Sequence, residues 1–297
     1  MRLFGGLGVR GVVTVAFEAE ELRFLTTQRN RVRKWGKVPL PTGLVSNGLV
    51  TSAVEMGKIL DDLFEEQRLD RKRVITSVSA LRYASRMITI PRVQAAVLQE
   101  AIVREAKKEL PIPLDDLYLS WAPLPSAGEQ QRVHLLGVRR EFIDAQVQSL
   151  EAAGIRPFVM DLKPLALVRA VGESKAIIVN LETHTLDIVL VVDYLPAIIR
   201  TFSFVGEDVG RQGKRDRLRH ELAQTIRFYN DGHGSAPVRP TTPVYVMGNL
   251  LGSPEAVSYM KGVLDRPVRL PRPPIGCPQG LPVPEYMANF GLALKKV

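Results

Sequence analysis

Few side chains in this sequence have the type and spacing for chemistry. The four histidines, His134, His184, His220 and His233, are scattered, with no His-x-x-x-His, so no metal site is expected. The single cysteine, Cys277, lies in the proline-rich segment Pro271 to Pro284 with no base beside it in sequence to activate a thiolate. One cysteine also excludes an internal disulfide framework and suits a reducing compartment. Gly5-Gly6-Leu7-Gly8 has neither the preceding strand nor the Gly-Lys-Ser/Thr ending of a phosphate-cradling loop. These patterns yield no catalytic residue.

Charge is the second chemistry. The formal net charge is +9. Much of it sits in two runs, one with Arg29, Arg31, Arg33 and Lys34, the other with Arg211, Lys214 and Arg215 and continuing to His220. Both are candidates for an anionic surface, whether nucleic acid, lipid leaflet or acidic protein face, since a basic residue gains roughly 1 kcal/mol near an anionic membrane. Neither run is interleaved with the aromatics that would stack bases, so a solvated face is the plain alternative and nucleic acid is not expected.

The elements that must hold these residues come next. At 297 residues, 45% hydrophobic and 24% charged, the chain has globular proportions and the length for two domain-sized cores. Its start lacks the long apolar core of a secretory signal. The most apolar stretch, Ala176 to Ile199, is broken by Asn180, Glu182, His184, Asp187 and Asp193, whereas a membrane helix needs about 20 mostly apolar residues. A cytoplasmic chain that does not span a membrane is expected.

Three strand-like runs, Val9 to Phe17, Leu22 to Thr27 and Arg31 to Val38, predict an antiparallel meander. A Pro-Gly loop from Pro39 to Gly43 leads to a helix whose stripe is Met56, Ile59, Leu60, Leu63 and Phe64, followed by a strand over Val74 to Ser79. The same order returns later. Ala176 to Leu181, Leu186 to Val192 and Ala197 to Phe204 are strand-like, a helix with Leu218, Leu222, Ile226 and Tyr229 begins near Arg215, and Val244 to Met247 is the next strand. Ser253-Pro254-Glu255 reads as the capped start of a helix through Leu264. Topology repeated without sequence identity predicts a duplicated, two-lobed α/β fold with a cleft. Between the lobes, a β-α-β-β-α segment predicts an inserted α+β subdomain, its first helix bracketed by Pro91 and Pro111 and its last ending at Gly154.

Several stretches occur in an order that resembles one family. They are Leu40-Pro41-Thr42-Gly43-Leu44-Val45 with Asn47-Gly48, Ile88-Thr89-Ile90-Pro91, Glu105 to Pro113, Ser149 to Pro157 with Asp161 and Leu165-Ala166-Leu167, and Asn289 to Leu294. Together they are similar to the PilM family, the actin-like proteins of type IV pilus assembly. The resemblance implies an actin-like fold of the FtsA and PilM type, with two RNase H-like lobes. It assigns residues 1–80 and 154–175, with a C-terminal helix from about 285 to 297, to the first lobe, 81–153 to the insert and 176–284 to the second lobe. The cytoplasmic part of a type II secretion protein shares this architecture.

In such folds each lobe supplies an Asp-Ile-Gly turn to the phosphates of ATP, the glycine letting backbone amides approach. The matching positions here are Ala16 and Glu18 in the first lobe and Asn180 and Glu182 in the second, with Thr185 left as a hydroxyl; the adenosine turn retains Gly248, followed by Asn249. Two glutamates facing a polyphosphate at about 4 Å would each repel it by roughly 1 to 4 kcal/mol. The expectation is therefore a scaffold without a cofactor, a pseudo-ATPase, ATP with magnesium being the alternative. The implied partner is the cytoplasmic tail of a PilN-like inner-membrane protein, with the pilus motor ATPase or platform proteins as further partners. The chain would lie at the inner face of the membrane through that tail. Leu81, Tyr83, Met87, Ile88, Ile90 and Val138, where the insert would meet the first lobe, are the candidate contacts for an extended peptide.

Overall fold

The computed structural model describes residues 11–79, 81, 83–124, 126, 128–204, 210–233 and 237–296. Gly5 to Gly8 and Val9 lie outside them. The chain divides into two compact units, one running to Leu81 and resuming at Val147, the other comprising Arg82–Gln146.

Among the described residues the larger unit begins with β1 (Val12–Phe17), β2 (Glu21–Gln28) and β3 (Arg31–Pro39), an antiparallel meander. Arg29 and Asn30 both have positive φ, 49° and 59°, which makes a two-residue turn whose twist matches the flanking strands. The loop predicted after Pro39 holds a small hairpin that the Pro-Gly reading passed over, β4 (Val45–Ser46) and β5 (Leu49–Val50), closed by Asn47-Gly48. In α1 (Ala53–Glu66), Ser52 accepts the Glu55 amide as N-cap, and Met56, Leu60, Leu63 and Phe64 form the buried stripe. β6 (Val74–Val78) then runs parallel to β1.

The smaller unit contains β7 (Tyr83–Pro91), α2 (Ala95–Glu109), β8 (Leu117–Pro123) and β9 (Gln130–Arg139), and it includes the start of α3 (Arg140–Ala152). Its antiparallel sheet has the order β7-β9-β8, so both β7 and β8 are edges. Ile88, Ile90, Val133, Leu135 and Leu117 pack under Ile102, Ala106 and Leu110. From Val147 onward α3 belongs to the larger unit, and Gly154, at φ 67°, stands just past its end.

β10 (Val159–Leu162) and α4 (Lys163–Val171) complete the first lobe, whose sheet order is β10-β6-β1-β2-β3. The second lobe repeats the plan with β11 (Lys175–Leu181), β12 (Thr185–Val192), β13 (Leu195–Ser203), α5 (Arg211–Gly232), β14 (Val244–Met247), α6 (Pro254–Val263) and β15 (Val268–Arg269). Its order is β15-β14-β11-β12-β13, element for element that of the first lobe. Even the second hairpin turn matches, with Asp193 and Tyr194 at φ 52° and 64°. The long helix starts at Arg211 rather than near Arg215, because its first turn carries no apolar stripe from which to read it.

α7 (Met287–Ala293) returns to the first lobe. α4 and α7 lie within a core that also takes Ala16, Leu25 and Val32 from one sheet and Ile178, Val189 and Met247 from the other. The two helices nearly touch: a Cβ on Gly291 would stand 1.8 Å from the Ala166 carbonyl oxygen. Asn289 donates from Nδ2 to the carbonyl oxygens of Thr14 and Arg23, tying α7 to β1 and β2.

Candidate functional site

The duplicated topology brings the β1–β2 turn and the β11–β12 turn face to face. Each is closed by its own backbone, Glu18 N–H to the Glu21 carbonyl and Glu182 N–H to the Thr185 carbonyl. The side chains between them form one ionic lattice. Arg23 on β2 donates both Nη atoms to Glu182, at 2.9 and 2.7 Å, and also reaches Glu21 and the Glu285 carbonyl oxygen. Glu182 takes a further bond from the Asn249 amide, 3.2 Å away. Lys163, at the first residue of α4, sits 2.9 Å from Glu18 and 3.4 Å from Asp187. Asn180 Nδ2 and Thr201 Oγ1 donate to the two oxygens of Asp187. At the rim, His184 pairs with Glu20 at 2.8 Å.

Arg23, Glu18, Glu182, Lys163 and Asp187 are all buried, and for the first four burial is the largest force on the charge. In Glu182, burial pushes the carboxyl pKa up, but the bidentate Arg23 guanidinium outweighs it and holds the pKa below the usual range. In Glu18, burial wins over Lys163 and the neighbouring Glu182 adds repulsion, so its pKa is raised. Burial acts against the charge of Arg23 and Lys163, yet Glu182 for the first and Glu18 with Asp187 for the second push both pKa values up. Two small cavities flank the lattice, about 20 Å³ beside Asn47, Ser79 and Thr185 and about 40 Å³ beside Glu20, Thr183 and Asn249. That is room for on the order of one to three waters.

Ala16 is a core side chain, 1% exposed, and Asn180 is spent on Asp187. The Thr185 hydroxyl lies between the cavities, buried and without a hydrogen-bond partner among the described residues. Gly248, at φ 92°, passes so close to Leu181 that a Cβ would meet its carbonyl oxygen at 2.3 Å. Of the six peptide-contact candidates, Met87 is 49% exposed and Tyr83 and Leu81 are half-buried, while Ile88, Ile90 and Val138 are buried. Arg29, Arg31, Arg33 and Lys34 are exposed on the β2–β3 hairpin. The second basic run lies on α5, where Lys214 reaches the Thr183 carbonyl oxygen and Arg215 stacks on Tyr259. These two are partners of their own lobe.

Sequence reasoning missed Arg23, Lys163 and Asp187. Two had a signal: Arg23 stands between Leu22 and Phe24, and Asp187 interrupts Leu186 and Ile188-Val189-Leu190, so each is a charge in a buried strand that demands a partner.

A family model described as type IV pilus assembly protein PilM matches residues 13–202. Among solved structures, one described as a PilM-PilN type IV pilus biogenesis complex is 19% identical with a TM-score of 0.78, covering 95% of this chain and 97% of that one. The cytoplasmic domain of EpsL, an inner membrane component of the type II secretion system of Vibrio cholerae, is 14% identical at TM-score 0.53, covering 97% of both chains. A Bacteroides thetaiotaomicron protein with an actin-like ATPase fold is 11% identical at 0.52, covering 96% of both. Curated protein sequences give no match. At these identities the likeness is one of fold, the actin-like α/β fold with two lobes and an inserted α+β unit.

Proposed function

Since the chain belongs to the type IV pilus assembly protein PilM family, we propose that it is a scaffold of pilus assembly that holds the extended tail of a PilN-like membrane partner and works without nucleotide. The observation that carries this reading is the ionic lattice. On this reading Glu18 and Glu182 take the two phosphate-turn positions, and their carboxylates are already matched by Lys163 and Arg23. A triphosphate would have to displace both glutamates and strip two buried cations of their partners, each a loss of about 3–5 kcal/mol. The residues present do not fit ATP and magnesium, and no chemical step is assigned to them. On this reading the chain sits on the cytoplasmic side of the membrane through its partner.

The tail is expected on β7, an end strand of its three-stranded sheet whose outward backbone would accept another strand, with Met87 and Tyr83 beside it as apolar contacts. Immobilised tail peptide should retain the chain equally with and without magnesium ATP, and Met87→Asp should weaken retention by tenfold or more, an order-of-magnitude figure for a buried contact made charged. Undiminished retention of Met87→Asp would remove β7 from the reading. A requirement for ATP would remove its nucleotide independence.

A further inference from the structure

The β2–β3 hairpin from Glu21 to Pro39 contains Arg23, Arg29, Arg31, Arg33, Lys34 and Lys37 and a single carboxylate, Glu21, at the end away from the turn. Two of these cations are committed, Arg23 to Glu182 and Lys37 to Glu21 and Glu285. The other four are exposed, and among the described residues none of them has an ion-pair partner; Lys34 spends one N–H on the Gln67 carbonyl oxygen.

Three features hold this cluster out from the lobe. The two-residue turn puts Arg29 at its tip. A bulge lies where Thr26 faces Lys34 and Thr27 faces Val32, so Arg33 is the extra residue, and Val32 stays buried while Arg31, Arg33 and Lys34 are exposed. The proline-rich segment braces the tip, with Val32 N–H bonded to the Gly276 carbonyl oxygen and Gly276 N–H to that of Asn30.

The four charges spread along a strand edge, where alternate residues are roughly 7 Å apart, and they do not converge on one point. Such spacing suits a plane of separate anions better than a single ion. β2 is a buried interior strand, paired with β1 on its other side in a five-stranded sheet, so the hairpin is no free ribbon that enters a DNA groove. Its one partly exposed aromatic, Trp35, already sets its ring against Tyr286, 5.6 Å between centroids at 80°, and offers no platform for bases. We propose that this hairpin is a direct contact to an anionic lipid leaflet, with Arg29, Arg31, Arg33 and Lys34 meeting headgroup phosphates. The contact would be additional to any grip on a protein tail and independent of it.

Flotation of the full chain with phosphatidylcholine vesicles, alone or mixed with phosphatidylglycerol, tests the assignment. Binding is expected to the mixed vesicles only and to fall with added salt. Each cation contributes roughly fivefold, so R29S/R31S/R33S should lose about a hundredfold in partitioning, while R29K/R31K/R33K keeps it. R215S, in the other basic run, serves as the control and should bind as the unaltered chain does. Inorganic phosphate should compete no better than chloride of equal ionic strength; stronger competition would indicate a single-ion site and overturn the proposal. So would equal flotation of a folded R29S/R31S/R33S variant, absence of flotation by the unaltered chain at low salt, or tighter binding to duplex DNA lost in the same variant.

Discussion

Glu18 and Glu182 occupy equivalent turns of the two lobes, and their surroundings push their acidities apart. The Glu182 carboxyl is held below the usual range by Arg23, so its contribution to stability is present above the unfolded value of about 4.3 and is lost as pH falls through the folded value. Glu18 has the opposite sign. Its folded pKa is raised by burial, so the stability linked to it is fully present below the unfolded value and declines as pH rises through the folded one. Urea melts should therefore show Glu182→Gln losing about 2–4 kcal/mol at neutral pH, a loss that shrinks in acid, because an unmatched buried guanidinium remains. Glu18→Gln should lose less at neutral pH, since Lys163 keeps Asp187. Equal losses with the same pH trend would contradict this account of the lattice. The resemblance to a family drew attention to the two glutamates, but nothing in the sequence pointed to their partners. Arg23 and Lys163 lie 159 and 145 residues from the carboxylates they match, and no local pattern carries a pairing of that range.

At the scale of elements, α4 and α7 are held together by the absence of a side chain. Gly291→Ala would drive a methyl group into the Ala166 carbonyl, and backbone cannot step aside as a rotamer can. A loss of about 2–4 kcal/mol is expected from thermal or urea unfolding. Gly262→Ala near the end of α6, where nothing lies within 4 Å of the added methyl, should instead be neutral or gain about 0.5–1 kcal/mol. Similar behaviour of the two variants would mean that the helices separate easily. Elements with a clear stripe were readable: the face of α1 and the Ser253 cap of α6 stand where the spacing put them. The β4–β5 hairpin was not, since two-residue strands offer no alternation to detect and Asn47-Gly48 is their only mark.

For the whole molecule, the duplication was the most legible feature, because two sheets of identical order impose the same succession of strands and helix on unrelated residues. Closure of the cleft was not legible, since it depends on where charges meet across the two lobes. If ATP bound at a thousand times its dissociation constant, it would stabilise the fold by about 4 kcal/mol. Saturating magnesium ATP is expected to leave the melting temperature unmoved. A rise of several degrees would show that the lattice opens to nucleotide.

The chain has two tryptophans, and the fold puts one in each compact unit, Trp35 against Tyr286 in the larger and Trp121 against the core of the smaller. Each unit thus has its own fluorophore. In Trp121→Phe the indole emission comes from the lobes alone, and in Trp35→Phe from the insert alone. A single denaturation series on the two variants would reveal whether lobes and insert melt as one cooperative body or in succession.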